Sequence, residues 1–371
     1  MKLHAIELRR VRLPLVSPFR TPLGTESVRE ALLVRVESDD GDGWGECVAG
    51  SDPLYCSEYV DAAWLTLRRY LGPRLLAAPE LTATDVRPLL REFKGHRMAK
   101  AALEMAVLDA QLRVAGVSFS TFLGGVTVAV TPGVAVGIMS SVDELLDSVS
   151  EYLDAGYRRV KLKILPGWDL LPVEAVRDRF GDDLMLQVDA NSAYRRADID
   201  HLARLDQFSL LLVEQPLDED DLIGHAQLAR RITTPVCLDE SIVSAQSAAT
   251  AISLGACSVV NIKAGRVGGY LEARAVHDVC VSKGVPVWCG GMLETGLGRA
   301  ANLALASLPG FTLPGDISAT DRYFHEDITP PFRLHEGTIA VPTGPGLGVE
   351  VLRPVLDALT TQSETVTRTE H

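Results

Sequence analysis

The sequence lacks a surplus of positive charge, a long apolar run and a paired-cysteine motif. Its 371 residues carry 36 Lys and Arg against 49 Asp and Glu, so the formal net charge is −13 at pH 7. A chain this acidic is a poor partner for nucleic acid or for an anionic membrane surface. No segment approaches the ~20 consecutive apolar residues of a membrane span. We therefore expect neither nucleic acid nor a membrane among its partners.

The cysteines and the N-terminus indicate a cytoplasmic protein. None of the six cysteines forms a CxxC pair, and several lie inside apolar runs, as is typical of buried thiols in a reducing compartment. The first 15 residues alternate like a strand and show no signal-peptide core followed by a cleavage site.

The first 125 residues indicate an α+β domain. A chain of this length suits one large and one smaller domain. Residues 1–50 alternate in short apolar segments, which predicts an antiparallel meander. Within it, residues 17–28 contain two prolines and a glycine and predict a long loop that is either disordered or functional. Residues 56–123 repeat apolar positions three and four apart, which predicts helices.

From residue 126 the pattern changes to alternating strands and helices. Five apolar segments each end on a charged residue, at Lys163, Asp189, Glu214, Asp239 and Lys263. The gaps between these residues are 26, 25, 25 and 24, which leaves room each time for a strand, a helix and two loops. Eight strands are expected near residues 132, 158, 184, 210, 235, 258, 286 and 312. The segment 126–320 therefore predicts an α/β fold, a (β/α) TIM-type barrel.

The chain changes character again after residue 320. The first barrel helix is expected to begin at a capping box formed by Ser141 and Glu144. The alternation of strands and helices that follows does not continue beyond residue 320. Residues 331–351 predict a hairpin, and we expect the segment 321–371 to return to a capping domain formed with residues 1–125. The polar tail, residues 360–371, is expected to be frayed.

Three of the strand-end residues are acids on consecutive strands. In a barrel, Asp189, Glu214 and Asp239 would converge at the C-terminal ends of the strands, where such folds build their active sites. Carboxylates without nearby His or Cys suit Mg²⁺ or Mn²⁺ rather than zinc. The alternative is that each acid caps a helix or pairs with an arginine, but three acids in register would need three separate partners.

Two lysines flank this predicted metal site. Lys163 and Lys263 lie four strands apart in an eight-strand ring, so they are expected to face each other across the barrel mouth. Lys161 points to the same side as Lys163, and a second ammonium together with a cation should lower the pKa of Lys163. Asn191 and Asn261 stand two residues from Asp189 and Lys263. Arg266 is either a charge that lowers the pKa of Lys263 or a loop arginine in an ion pair.

This arrangement indicates proton abstraction next to a carboxylate. A metal held by three carboxylates can bind a substrate carboxylate and stabilise the charge that forms when the α-proton leaves. If one lysine takes the proton and the other returns it from the opposite side, the result is racemisation or epimerisation. If the next carbon carries a leaving group, one lysine alone can catalyse a syn elimination. The spacing of the residues is compatible with both reactions.

Several motifs resemble one family of the enolase superfamily. The KxK of Lys161 to Lys163 and the lysine at Lys263 are similar to those of the muconate-lactonising subgroup. More closely, the chain resembles the o-succinylbenzoate synthase and N-succinylamino acid racemase family over nearly its whole length. The segments that carry this resemblance are PLVSPFRTPLGT, WGECV, FKGHRMAKAALEMAVLDA, QVDANSAY, EQPL, CLDES, PVWCGGMLETGLGRA and PTGPGLGV.

The resemblance implies roles for individual residues. Asp189, Glu214 and Asp239 would bind Mg²⁺. Lys163 and Lys263 would form the acid–base pair. Glu240 would support the site, Phe19 and Leu23 would lie on a loop that closes over the substrate, and Met292, Leu293 and Tyr323 would line the acyl pocket. Arg266 accompanies members with racemase activity. Ala264 departs from the family, which usually has proline there, but the change removes no functional group.

The preferred interpretation is a metal-dependent racemase of N-acylamino acids, especially N-succinylamino acids. The alternative, which one protein can combine with it, is the dehydration that forms o-succinylbenzoate in menaquinone biosynthesis. A dipeptide epimerase is a weaker option, because the eighth strand, PGDIS, has no paired acids. A barrel retained as a scaffold without turnover predicts a lost base or ligand, and none is lost. The resemblance also implies a homo-oligomer, either a dimer or an octamer.

Overall fold

The N-terminal strands form a long antiparallel hairpin with a third strand beside it. In the computed structural model, which describes residues 1–368, the strands are β1 (Leu3–Thr21), β2 (Gly24–Ser38) and β3 (Asp42–Cys47). β1 and β2 pair from their open ends to Thr21 and Gly24, with a register shift between Pro14 and Phe19. The prediction of a loop over residues 17–28 was therefore wrong. Pro18 lies within the shift in register, and Pro22 lies in the two-residue turn between the strands.

Helices cover one face of this sheet. They are α1 (Val60–Thr66), which continues through a π-helical turn (Leu67–Leu71) into α2 (Gly72–Leu76), then α3 (Ala83–Leu89), α4 (Arg97–Ala115) and α5 (Phe119–Leu123). The helix α4 lies directly on β3. A Cβ atom at Gly43 or Gly45 would come within 2.1 Å of a backbone oxygen of α4, so glycine at these positions permits the close approach. The predicted helical region, residues 56–123, is confirmed.

Strands and helices then alternate along the barrel. After β4 (Ala129–Val130) the strands are β5 (Val134–Val136), β6 (Arg159–Lys163), β7 (Met185–Asp189), β8 (Val213–Glu214), β9 (Val236–Leu238), β10 (Val259–Ile262) and β11 (Val287–Cys289). The helices are α6 (Val142–Asp154), α7 (Leu170–Phe180), α8 (Ile199–Leu202), α9 (Leu222–Arg231), α10 (Ala245–Ser253), α11 (Ala264–Val267), α12 (Tyr270–Ser282) and α13 (Gly296–Ala306). The hydroxyl of Ser141 accepts a hydrogen bond from the backbone N–H of Glu144 at 3.2 Å, so the predicted cap of α6 is confirmed.

The seven strands β5 to β11 form one parallel sheet in chain order. The eighth position is taken by residues 311–316, which contact both edges of the sheet through isolated bridges, Phe311 to Val287 and Gly315 to Pro132. This segment was expected to form a full strand. Pro314 has no backbone N–H to donate, and the segment makes only single bridges to its neighbours. The predicted (β/α) barrel fold is confirmed, but its eighth position is occupied by a segment with isolated bridges and not by a strand.

The C-terminal segment contacts both parts of the chain. It contains β12 (Ile339–Ala340), α14 (Arg353–Leu359) and β13 (Thr360–Thr367). β12 pairs with β4, so the predicted hairpin over residues 331–351 was wrong. β13 pairs with β1 from Val11 to Ala5 and gives a four-stranded sheet of order β13-β1-β2-β3. The predicted frayed tail was therefore also wrong up to Thr367, and the end of that tail, residues 369–371, lies outside the described residues.

These contacts support the proposed division into a capping domain (residues 1–125 and 321–371) and a barrel (residues 126–320). Within the described residues all six cysteines are free, and five of them are buried. No helix in this part of the chain is long and apolar enough to cross a membrane.

Glu46 at the end of β3 connects the two parts of the molecule. Its carboxylate accepts hydrogen bonds from Thr295 N at 3.0 Å, Thr295 Oγ1 at 2.6 Å and Gly298 N at 3.0 Å. These groups belong to the first turn of α13, where backbone N–H groups lack partners within the helix. Burial nevertheless raises the pKa of Glu46 from 4.5 to about 7.

We predict that Glu46 makes the folded protein less stable as the pH rises. Its pKa is higher in the folded state, so the folded chain binds more protons between pH 4.5 and 7, and stability falls through that range. The free energy of unfolding of Glu46→Gln should therefore improve relative to the parent by roughly 1–3 kcal/mol between pH 4.5 and 7.5. Urea unfolding at both pH values measures this, with Glu37→Gln on β2 as a control. A parent-to-variant difference that does not change with pH contradicts the prediction.

Candidate active site

The pairing of the barrel strands brings the five charged strand ends together. The register pairs Lys163 with Asp189 and Asp189 with Glu214 on neighbouring strands. Asp239 follows β9 directly, and Lys263 follows β10. All five side chains are buried, with exposures of 7% or less. The β-branched and leucine-rich runs before them form the strands, and their ends lie together at one end of the sheet, as the spacing of the sequence predicted.

Lys163 lies between two oxygen atoms from β7 and the loop that follows it. Its Nζ donates hydrogen bonds of 2.6 Å to Asp189 Oδ2 and to Asn191 Oδ1. Burial lowers the pKa of Lys163, and the nearby ammonium of Lys161 lowers it further, against the opposing charge of Asp189. The sequence analysis expected a lowered pKa from Lys161. Burial is the larger cause.

Lys161 has a different environment from Lys163. Its Nζ lies 3.1 Å from Asp189 Oδ2, 3.1 Å from Glu214 Oε2 and 2.5 Å from Asp316 Oδ2. Burial disfavours the ammonium, but these three carboxylates, Asp316 first, outweigh it and raise the pKa of Lys161. Lys161 therefore remains a cation beside Lys163.

Lys263 also has a raised pKa. Its Nζ lies 2.8 Å from Asp239 Oδ2, and burial is outweighed by the phenol of Tyr55 and the carboxylates of Glu240 and Glu214. The expectation that Arg266 lowers the pKa of Lys263 is therefore not met in this arrangement, because the surrounding acids dominate. The two lysines carry shifts of opposite direction.

Arg266 is buried and tied to the backbone around the site. It donates hydrogen bonds of 2.6 Å to the carbonyl oxygens of Ile242 and Asn261 and forms an ion pair with Asp239. The predicted alternative of an arginine in an ion pair therefore describes Arg266, although the residue also lies within the charged cluster around Lys263.

The polar residues next to the acids complete the network. Asn191 donates to Glu240 Oε1 at 2.9 Å, and Asn261 donates to Glu214 Oε1 at 2.7 Å. Burial, followed by the charge of Asp189, raises the pKa of Glu240 to about 7. Asn191 and Asn261 thus contact members of the strand-end cluster directly, and Glu240 is connected to the cluster through Asn191.

The donor set fits a hard divalent cation. Asp189, Glu214 and Asp239 offer buried carboxylate oxygens from three neighbouring strands, which is the ligand type that Mg²⁺ and Mn²⁺ prefer. Within residues 1–368, Asp239 Oδ2 has no hydrogen-bond partner. The described part of the chain shows no group of three or more His, Cys, Asp or Glu side chains already arranged around a metal position. Each carboxylate is instead ion-paired with a lysine or an arginine.

A cavity of about 380 Å³ opens over the two lysines. The cavity is lined by Lys163, Lys263 and Asn191. It is also lined by four of the predicted substrate residues, which are Phe19, Leu23, Met292 and Leu293. Tyr323, expected in the same pocket, is not among the lining residues. It is buried and packs edge-to-face against Phe19, with the two ring centroids 6.3 Å apart.

Two residues of the site, Tyr55 and Asp316, were not predicted from the sequence. The hydroxyl of Tyr55 donates to Asp239 Oδ1 at 2.9 Å, although the residue belongs to the capping domain. Asp316 bridges Lys161 and Arg159, the latter at 2.7 Å. Asp316 could have been predicted, because it is an acid in the PGDIS segment that was expected to form a barrel strand. No local pattern marks Tyr55.

Comparison with known proteins places the chain in a family. Residues 144–355 match the model "Enolase C-terminal domain-like", and residues 5–124 match "Mandelate racemase / muconate lactonizing enzyme, N-terminal domain". The chain is 65% identical to an N-succinylamino acid racemase from Amycolatopsis sp. over 97% of this chain and 98% of the relative. It is 44% identical to an o-succinylbenzoate synthase from Geobacillus kaustophilus over 97% of this chain and 96% of that protein.

Solved structures agree with these sequence relatives. The crystal structure of an enolase superfamily member from Listeria innocua matches with a TM-score of 0.94 and 39% identity, covering 99% of both chains. Enzymes of this superfamily combine lysine or histidine bases with divalent metal ions. By these matches the chain belongs to the enolase superfamily, in the family of N-succinylamino acid racemases and o-succinylbenzoate synthases.

Proposed function

We propose that this protein racemises N-acylamino acids, in particular N-succinylamino acids, by moving the α-proton between two lysines. The observation that carries the proposal is that Lys163 and Lys263 line one cavity from β6 and β10, which lie four strands apart in the sheet. A planar carbon between them would have one amine on each face. The racemase from Amycolatopsis sp., 65% identical over nearly the whole length of both chains, supports the same activity.

The opposite pKa shifts of the two lysines suit one cycle of this reaction. Lys163, whose pKa is lowered, supplies a neutral amine that accepts the α-proton. Lys263, whose pKa is raised, supplies an ammonium that delivers a proton to the opposite face. After one turnover the protonation states have exchanged, and the same pair can then act on the other enantiomer in the reverse direction.

The remaining charged residues hold the substrate and its developing charge. A divalent cation bound by Asp189, Glu214 and Asp239 would stabilise the negative charge on the substrate carboxylate as the α-proton leaves. We propose Mg²⁺, with Mn²⁺ as a possible substitute. Lys161, which its three acidic neighbours keep charged, adds a second fixed positive charge next to the site. Phe19 and Leu23 of the capping domain line the cavity and would contact a bound substrate.

The second candidate function is the dehydration that forms o-succinylbenzoate, a step of menaquinone biosynthesis. It needs one base and, on the other face, only a positive charge. The lowered pKa of Lys163 and the raised pKa of Lys263 match that division, and relatives 44% identical are named o-succinylbenzoate synthases. Dipeptide epimerisation is disfavoured, because the PGDIS segment lacks paired acids and its one acid, Asp316, is already ion-paired with Lys161 and Arg159.

Two further proposals concern the protein as a whole. Five buried free thiols fit a reducing compartment, and we propose that the protein works in the cytoplasm. We also propose a homo-oligomer, either a dimer or an octamer, which light scattering coupled to size-exclusion chromatography distinguishes from a monomer.

We predict that racemisation requires both lysines. Lys163→Ala and Lys263→Ala should each lower the rate by about 10²–10⁴-fold, since each variant removes one of two proton-transfer groups. Chiral chromatography of N-succinylamino acid enantiomers measures the rate, and Lys283→Ala, an exposed lysine after α12, serves as the control. Full racemase activity in either active-site variant would rule out the two-lysine proposal.

We predict that chelation abolishes activity and that added Mg²⁺ or Mn²⁺ restores it. Calorimetry of the chelator-treated protein should show Mg²⁺ binding that Asp239→Asn weakens by at least about 10-fold, since one of three charged ligands is lost. Asp220→Asn, an exposed acid in the loop after β8, should bind Mg²⁺ like the parent. Activity that persists in protein shown by elemental analysis to be free of divalent metal contradicts the metal assignment.

A further inference from the structure

Tyr55 brings the capping domain into contact with one of the two lysines. It lies on the loop between β3 and α1, and its hydroxyl oxygen is 2.9 Å from Asp239 Oδ1, 3.3 Å from Lys263 Nζ and 3.5 Å from Arg266 Nη1. The Nζ atom of Lys263 also lies 4.5 Å from the centre of the Tyr55 ring. Lys263 therefore contacts both the ring and the oxygen of a residue that no barrel strand carries.

The hydrogen bonds of Tyr55 have a defined direction. A tyrosine hydroxyl has a single proton to donate, and it keeps that proton at neutral pH. That proton is donated to Asp239, and the oxygen lone pairs remain to accept from Lys263 and Arg266. Tyr55 thus fixes the position of the Lys263 nitrogen from the side of the capping domain.

The two oxygen atoms of the Asp239 carboxylate contact different residues. Its Oδ1 atom contacts Tyr55 and Arg266, whereas its Oδ2 atom forms an ion pair with Lys263 at 2.8 Å. If the Tyr55 hydroxyl is lost, Arg266 still holds Oδ1. Lys263 would then lose its hydrogen bond to Tyr55 and keep the ion pair with Oδ2, while the carboxylate would keep both of its cations. Removing the hydroxyl should therefore change the orientation of Lys263 more than that of the carboxylate.

Lys163 is held by other partners. Its nitrogen donates to Asp189 and Asn191, both in or just after β7, and Tyr55 is hydrogen-bonded to neither of them. The contacts of Tyr55 thus fall on one face of the cavity. This asymmetry separates the two reactions, since racemisation needs proton transfer at both faces and dehydration needs it at one.

We propose that Tyr55 is a positioning residue that orients Lys263 for proton transfer and thereby favours racemisation over dehydration at this site. The inference rests on the proposed two-lysine function. It also assigns a role in reaction specificity to the loop of residues 48–59: placing this loop over the barrel completes the surroundings of Lys263, whereas those of Lys163 are complete within the barrel.

The variant Tyr55→Phe tests the proposal because it keeps the ring and removes only the oxygen. Proton exchange at the α-carbon is followed by NMR in D₂O for each enantiomer of an N-succinylamino acid, and the face that Lys263 serves is identified as the one that Lys263→Ala abolishes. Exchange at that face should fall about 10–100-fold, the usual effect of losing a hydrogen bond to a charged group. Exchange at the Lys163 face and the rate of dehydration should stay within about 3-fold of the parent.

Three controls separate positioning from general damage. The retained exchange at the Lys163 face reports, in the same sample, that the variant is folded. Tyr59→Phe, a second tyrosine between β3 and α1, should change neither face. Tyr55→Leu, which also removes the ring over Lys263, should lower exchange at the Lys263 face further than Tyr55→Phe does.

Two results overturn the inference. Equal losses at both faces would mean that Tyr55 has a general structural role, and no loss at the Lys263 face would mean that it has no positioning role. Failure of the proposed function looks different, because the parent protein itself would then exchange the α-proton of neither enantiomer.

Discussion

The site depends on the balance of charge buried at the mouth of the barrel. Charged side chains cost several kcal/mol each when they are removed from water without a partner, and here ten of them are buried together. The acids are Asp189, Glu214, Asp239, Glu240 and Asp316, and the cations are Arg159, Lys161, Lys163, Lys263 and Arg266. Four of the acids, Asp189, Glu214, Asp239 and Asp316, form ion pairs with these cations, so the buried acids and bases stabilise one another. The strands that carry most of these residues are short and buried, which keeps their ends in fixed register.

Lys163 and Lys263 have different neighbours within the cluster, and their pKa values therefore shift in opposite directions. Burial lowers the pKa of Lys163, and the ammonium of Lys161, which Asp189, Glu214 and Asp316 keep charged, lowers it further. On the other side, acids surround Lys263 and raise its pKa. In the proposed function, a base and an acid thus arise from the same residue type through the difference in their surroundings. Removing any one charge would leave its partner unpaired, so substitutions here are expected to act on more than one residue.

Most of the barrel and its charged rim could be predicted from the sequence, because each βα unit is local in the chain. The repeat of about 25 residues places Lys163, Asp189, Glu214, Asp239 and Lys263 at strand ends regardless of how the helices pack. The errors concern features that depend on distant contacts. The tail from Thr360 to Thr367 forms a strand only because β1 offers it an edge, and the hairpin of β1 and β2 extends through prolines that usually end strands.

The missed site residues have the same physical origin. Tyr55 is more than 180 residues before Asp239 in the chain, and nothing in its own loop indicates that the two meet. Asp316 becomes significant only when β6 and the eighth barrel position are adjacent, since its partners Lys161 and Arg159 both lie on β6. Spacing along a chain therefore predicts the residues that each strand contributes, while the contacts between the capping domain and the barrel require the tertiary structure.

The central claim is that two working proton-transfer groups face one carbon atom from opposite sides. Exchange of the α-proton in D₂O, followed by NMR for each enantiomer of an N-succinylamino acid with Mg²⁺ present, tests it most directly. The account predicts that both enantiomers exchange and that each inverts into the other. Dehydration to o-succinylbenzoate without exchange of either enantiomer would contradict it and would leave Lys263 as a fixed positive charge only.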